Sequence, residues 1–409
     1  MQNFPSSSSQ VLIEPTKIIQ KRNGYSGVYI HFPFCIQKCS YCDFYSIGSG
    51  KTRSEAEKNI FQTYKDELDF RLHNNTLWNT YTYDTIFFGG GTPSRMDLSS
   101  LADFINYLKL RLALSEDFEM TLEANPEDVT KDNVKAWKQL GFTRINMGYQ
   151  SSKPEHLQYV GRFYDPKQYK QAPQILADSG ISETGYDLIY GFPGQKKEEF
   201  LKDIDLLLSY KPTHLSMYSL TLEKGTEYSR QVREGKKLQP EEELQIEILE
   251  SLPQIMHANG YEWYEVSNYC LPGHRSRHNL RYWMMEPYLA IGPGAHGFDG
   301  QHRYGNARNL ETYTKNPILA KLEPIDYKIE LFLSLFRIFA AIQIDSFLGD
   351  LNSSFYRIVD QKLKSWSAKD LASYENGIFQ WKPQAVYYLD NYILELSEAI
   401  EEESSKVKV

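Results

Sequence analysis

From Val28 onward the chain alternates short β-rich runs with amphipathic helical stretches, and that alternation narrows the fold more than any other feature. Val28 to Phe32, Thr85 to Phe88, Glu119 to Glu123, Arg144 to Met147, Tyr186 to Tyr190 and His214 to Leu220 read as strands. Glu55 to Leu72, Leu98 to Leu110, Lys131 to Leu140, Pro166 to Ser179 and Lys197 to Tyr210 read as the helices between them. Strands joined by helices run parallel, because a parallel pair needs a long crossover and a helix is the crossover that covers the sheet. The expected fold is α/β, a full or partial (β/α) barrel, with its chemistry at the carboxyl ends of the strands.

The pattern stops near residue 320. Beyond it come helices and a weakly alternating stretch, Tyr374 to Trp381, around an Asn376-Gly377 turn signal, which predicts a small α-rich C-terminal domain of winged-helix type. Ile329 to Ile344, the most apolar stretch, is broken by Glu330 and Arg337 and is too short to span a bilayer, so it reads as a buried helix. The expected organisation is a flexible leader (1–24), a barrel (25–260), a linking segment (261–320) and a C-terminal domain (321–409). A net charge of −8 without a basic stripe argues against a nucleic-acid partner. The polar, Ser-rich first ten residues lack the features of a secretory signal. Of four cysteines, three fall within eight residues, which suits a ligand cluster in a reducing compartment and predicts a cytoplasmic protein.

Those three follow the first strand as Cys35-x3-Cys39-x2-Cys42. Three thiolates on one tight loop can each bind one iron of a cubane cluster and leave the fourth iron without a protein ligand. A structural zinc site is the competing reading. It needs a fourth ligand, Cys270 or His31, and zinc sites usually pair C-x2-C elements, which this triplet does not.

The loop, with aromatic Tyr41 just before its last cysteine, closely resembles that of the radical S-adenosylmethionine (SAM) superfamily. The resemblance implies a [4Fe-4S] cluster held by Cys35, Cys39 and Cys42, with SAM on its open iron. Phe88-Gly89-Gly90-Gly91-Thr92-Pro93 resembles the glycine segment that receives the amino group of SAM, and consecutive glycines let backbone approach a ligand. Further strand ends carry Glu123, Gln150, Arg162 and Asp187. Carboxylates suit ribose hydroxyls or an α-ammonium, and Arg suits an α-carboxylate. Tyr29, Tyr41, Gly90, Gly91 and Thr92 join these four as the expected SAM-binding residues.

The match is to the coproporphyrinogen dehydrogenase-like branch, although Tyr149 and Ser152 stand where that branch usually has Val and Phe. The branch holds an oxygen-independent coproporphyrinogen III dehydrogenase, a radical enzyme of porphyrin biosynthesis, and a HemW-type heme chaperone. The dehydrogenases usually carry a further cysteine where this chain has Phe44. His278-Asn279-Leu280-Arg281-Tyr282-Trp283 resembles the H-N-x-x-Y-W motif of the chaperones, and Tyr264 to Tyr269 and Gly292-Pro-Gly-Ala-His296 match the same group. The implied function is binding of heme and its delivery to acceptor proteins such as respiratory cytochromes, with an electron donor such as flavodoxin or ferredoxin serving the cluster. Enzymatic activity of the coproporphyrinogen-oxidase type stays open. For heme, Tyr282 and Trp283 are candidate walls, and His278 or His296 a candidate axial ligand, with His278 preferred. The alternative is that these histidines cap turns. Ser276 stands where some relatives have a cysteine, and Cys270 reads as a small buried hydrophobe.

Overall fold

The computed structural model describes residues 12–14, 17–18, 24–48, 53–317, 321–344 and 353–406. A two-residue strand, β1 (Leu12–Ile13), lies outside the main sheet. Within that sheet β2 (Tyr25–Phe32), β3 (Thr82–Gly90), β4 (Leu114–Ala124), β5 (Arg144–Gln150), β6 (Glu183–Tyr190) and β7 (His214–Ser219) lie side by side in chain order, every pair parallel. The crossovers are α1 (Arg53–Asn74), α2 (Leu98–Arg111), α3 (Lys131–Leu140), α4 (Pro166–Ala177) and α5 (Lys197–Leu208). All six strands and all five helices expected from the alternation are present with ends shifted by a few residues: β2 to β6, α1 and α2 are longer, and α4, α5 and β7 end one or two residues earlier. Local signals fix the boundaries: Asp97 caps α2 by accepting from the Ser100 amide at 2.8 Å, and Gly141 ends α3 with a left-handed φ of 99°.

One face of each strand is apolar and lies under the helices. Ile30, Phe88, Leu122, Ile145, Leu188 and Leu215 have no exposed surface. The other face points into the barrel and is largely polar.

Past β7 come α6 (Glu242–Ala258) and a hairpin of β8 (Glu262–Glu265) and β9 (Asn268–Cys270), which pairs antiparallel with β7. On the far side of β2 lies β10 (Tyr288–Ile291), parallel to it, followed by antiparallel β11 (His296–Phe298), β12 (His302–Gly305) and β13 (Lys321–Pro324). The sheet ends at β8 and β13 without closing, so the barrel is partial.

A short helix, α7 (Arg277–Trp283), plugs the amino-terminal end of this open barrel. Its Arg281 side chain is buried between the Asp84 and Glu286 carboxylates. Glu119 accepts from the amides of Arg277 and His278, both at 3.3 Å, at the positive end of the helix. Glu119 also pairs with Arg144 at 3.1 Å, whose guanidinium reaches the carbonyls of His274 and Arg275.

The second domain contains α8 (Tyr327–Leu335), β14 (Ala341–Gln343), α9 (Ser353–Ala368), β15 (Ala372–Glu375), β16 (Ile378–Trp381) and α10 (Leu389–Lys406). It is a small α-rich domain, and Asn376 and Gly377 turn its hairpin with positive φ of 51° and 73°. Two expectations are corrected. Ile329 to Ile344 is not one helix: α8 stops at Leu335, and Ile342 lies in β14. Ile338, Ile342 and Ile344 bury at even spacing, and a short apolar run does not by itself distinguish helix from strand. Nor is the leader wholly loose, because β1 pairs parallel with β14, Ile13 opposite Ile342, and Ile13 and Ile18 are buried in the second core. Among the described residues no helix is long and apolar enough to cross a membrane.

Buried Glu67 ties α1 to the end of β10. It accepts from Arg71 (2.6 and 2.8 Å), the Asn306 amide group (2.8 Å), the Gly292 backbone (3.0 Å) and the Tyr313 hydroxyl (2.6 Å). Glu67→Ala leaves buried Arg71 without its counter-charge and is expected to cost about 3–5 kcal/mol, measured by chemical denaturation.

A candidate cofactor basin and an adjoining aromatic chamber

The cysteine loop leaves β2 and is clamped along its length by backbone. Cys35 donates to the Ile47 carbonyl at 2.9 Å, Ser40 donates to Val160 at 2.8 Å, and Tyr228 donates to Ser40 at 2.7 Å. Gly91 explains why the glycine run is where it is. A Cβ there would lie 2.8–2.9 Å from the backbone of Phe32, Pro33 and Phe34, and the Gly91 amide donates to the Phe32 carbonyl at 2.7 Å. The missing side chain therefore seats the start of the cysteine loop against the end of β3, a role that the expectation of ligand approach alone did not contain.

None of the three cysteines is in a disulfide, and all are partly exposed. Burial pushes the Cys42 thiol up to about 11; the Phe44 amide opposes the shift, and the neighbouring Cys39 and Cys35 add to it. Thiols crowded in this way surrender their protons to a metal centre. Among the described residues no three His, Cys, Asp or Glu side chains converge on a point suited to one metal ion. A cubane asks for no such convergence, since each thiolate takes its own iron. The donor set fits a [4Fe-4S] cluster.

Beside the loop lies a cavity of about 620 Å³ lined by Tyr41, Gly90, Gly91, Thr92, Glu123, Gln150, Arg162 and Asp187 together with the three cysteines. These residues, far apart in sequence, meet in one basin. Burial and nearby Asp187 push Glu123 up to about 8, while the Gly90 amide donates to it at 3.1 Å. Burial likewise raises Asp187 to about 6, opposed by Ser216 and Arg162. Burial works against the charge of Arg162, yet Cys39 and Tyr41 hold its pKa above the ordinary value, and it donates to Asn125 and Gly148 at 3.0 and 2.6 Å. Its Nε and the Gln150 Oε1 are buried with no partner. Gln150 also sits at φ 65° beside a bulge in β5, a conformation that L residues rarely hold without reason. An orphaned donor, an orphaned acceptor and two acids suit the carboxylate, amino and hydroxyl groups of SAM.

Two expected residues lie elsewhere. Tyr29 is absent from the basin and lines an adjoining chamber of about 670 Å³, where its hydroxyl meets His31 Nδ1 at 3.0 Å. His278 lines neither cavity. It is fully buried, with Nδ1 against the Thr85 hydroxyl at 2.8 Å and Nε2 against the Tyr282 hydroxyl at 2.9 Å. Burial, aided by Arg281, lowers its pKa well below the usual value, so the ring is neutral and serves the plug.

The chamber shares Asp43, Phe44, Gly90, Glu123, Asn146, Asp187, Tyr218 and Ser267 with the basin and continues under Phe87, Tyr282, Trp283 and Tyr288. Glu265 opens into it and is pushed up to about 7 by burial, although Asn268 and the Trp283 indole (3.1 Å) donate to it. Sequence reasoning missed Asn146, Ser216, Tyr218, Arg308 and Arg337. For Asn146 and Ser216 a signal existed, because polar residues alternate with apolar ones along β5 and β7.

A family model described as the radical SAM superfamily matches residues 29–207. "Heme chaperone HemW" of Escherichia coli (strain K12) is 33% identical over 324 residues, 77% of this chain and 83% of that protein. The protein of the same name from Lactococcus lactis is 30% identical over 355 residues, 85% and 89%. The chain belongs to the HemW family of radical SAM proteins. The solved coproporphyrinogen III oxidase (HemN) of Escherichia coli, a radical SAM enzyme, superposes with a TM-score of 0.77 at 19% identity, covering 93% of this chain and 92% of that one. That likeness shows the shared fold. Membership in the family carries with it the [4Fe-4S] cluster and SAM.

Gly91→Ala is expected to lower iron and acid-labile sulfide after reconstitution although all three cysteines remain, because the loop no longer seats. Glu123 holds its proton more tightly folded than unfolded, so its contribution to stability is full below about pH 4.5 and fades as pH rises through about 8. The metal-free protein should therefore be less stable at pH 9 than at pH 6, and Glu123→Gln should flatten that slope in thermal melts.

Proposed function

We propose that this chain is a heme-binding chaperone of the cytosol that keeps its cluster and SAM and passes heme to acceptor proteins, its cluster served by an electron donor. The observation that carries this reading is the aromatic chamber opening directly onto the cofactor basin, with a volume of about 670 Å³. Pockets of this size take drug-sized and cofactor-sized ligands, and flat aromatic walls suit a macrocycle. The names of the relatives and Phe44, in place of the further cysteine of the dehydrogenases, support the same choice.

Cys35, Cys39 and Cys42 would hold the cluster, while Arg162, Gln150, Glu123 and Asp187 would bind SAM. When bound, this pair supplies one-electron cleavage of a sulfonium C–S bond. The chain's own part is positional: the clamped loop fixes the thiolates, and Arg162 and Gln150 present their unpaired polar atoms to the nucleotide. The chamber walls shield a bound ligand from water.

Anaerobically reconstituted protein is expected to shift the heme Soret band on titration with submicromolar affinity. An unshifted band overturns the reading. So does decarboxylation of coproporphyrinogen III by the wild type that a Cys39→Ala variant has lost. Cys39→Ala itself should abolish the cluster, reducing iron and sulfide to background, since two thiolates do not hold three irons.

A further inference from the structure

The chain has nine histidines, and only His31 and His296 line the aromatic chamber. His31 is committed on both sides, with Nδ1 to the Tyr29 hydroxyl at 3.0 Å and Nε2 to the Tyr45 carbonyl at 2.7 Å. His278 is likewise committed and does not line the chamber, lying behind the Phe87 and Tyr282 side chains that do. His296, on β11, differs from both: its ring lies over Gly305, where a Cβ would come within 2.9 Å of it, and among the described residues neither ring nitrogen has a hydrogen-bond partner. His296 is exposed at the chamber, and partial desolvation and nearby Arg308 lower its pKa from the ordinary value, opposed by Glu323, which favours the neutral imidazole that binds a metal.

The cations are equally selective. Arg308 and Arg337 are the only Lys or Arg side chains lining the chamber among the described residues. Arg308 donates to the Asp43 carbonyl at 2.7 Å and Arg337 to Asp390 at 2.7 Å, and both stay partly exposed, at 55% and 30%. A guanidinium with five N–H donors and one carboxylate partner keeps donors free for another carboxylate. Arg337 also lies over the Trp283 ring, 5.4 Å from its centre, so the second domain places a charge on the chamber wall.

Resting on the heme reading above, we infer that His296, not His278, is the axial ligand to heme iron, and that Arg308 and Arg337 bind the heme propionates. The chamber then supplies the three things a heme site needs: aromatic walls, an imidazole and cations for the carboxylates. His278 keeps its place in the barrel plug.

The test is heme titration of cluster-loaded full-length protein, read by absorption and electron paramagnetic resonance. His296→Ala should lose the imidazole-ligated signature and weaken binding by at least about tenfold, and added imidazole should restore the signature. His278→Ala should melt at lower temperature yet keep the signature. The Arg308→Ala, Arg337→Ala double variant should keep the ligation spectrum and lose about ten- to hundredfold in affinity. An unchanged His296→Ala spectrum, or loss of the signature in His278→Ala alone, overturns the ligand assignment. Unchanged affinity in the double arginine variant overturns the propionate assignment. If the wild type itself leaves the Soret band unshifted, it is the heme reading that has failed.

Discussion

An open barrel has to be stopped at one end, and here the stopper is charged. Arg281 and Arg144 are almost wholly buried, and each is held by carboxylates that are themselves buried or nearly so: Asp84 and Glu286 for one, Glu119 for the other. Such pairs contribute little net stability over an apolar packing, but breaking one leaves an uncompensated charge. They hold α7 in one position against β3 and β4, and the floor of the chamber depends on that position, because Tyr282 and Trp283 ride on the same helix.

With α7 at the amino-terminal end, the two cavities lie toward the end where the parallel strands finish. The inward residues there are polar and do not all find partners within the protein. The unpaired atoms of Gln150 and Arg162 and the raised pKa values of Glu123 and Asp187 express one condition: polar groups removed from water and waiting for a ligand. The cost of that arrangement is carried by the rigid surroundings, in which Gly91 locks the cysteine loop to β3 and Glu67 locks α1 to β10.

Two cavities sharing a wall give the protein a way to relate one ligand to another. Asp43 and Phe44 come from the cysteine loop itself, so whatever orders that loop also shapes the chamber. The second domain adds Arg337 to the chamber wall, and its Phe339 stacks on Trp263 of the β8–β9 hairpin with ring centres 4.2 Å apart.

The sequence by itself determined the six parallel strands and their helices, because periodicity, caps and β-rich runs are local properties of the chain. It also placed three thiol donors together, since C-x3-C-x2-C puts them on one loop whatever the rest does. The basin was legible in part: Glu123 and Gln150 sit at strand ends, which the parallel topology brings together, whereas Asp187 lies inside β6 and Arg162 lies beyond the short helix Pro154–Tyr159 that follows β5, and only the fold turns these two toward the same space. What only the tertiary structure decided is everything that depends on non-local pairing. The parallel insertion of β10 beside β2 joins segments more than 250 residues apart, and no local pattern announces it. The same holds for Leu12–Ile13, which becomes a strand because the edge of β14 is there to receive it. The H-N-x-x-Y-W stretch is the sharpest case. In the chain its histidine looks like a ligand, but folding turns that imidazole inward to Thr85 and Tyr282 and leaves His296 facing the space, since which face of a segment meets a cavity is fixed by its neighbours and not by its own residues.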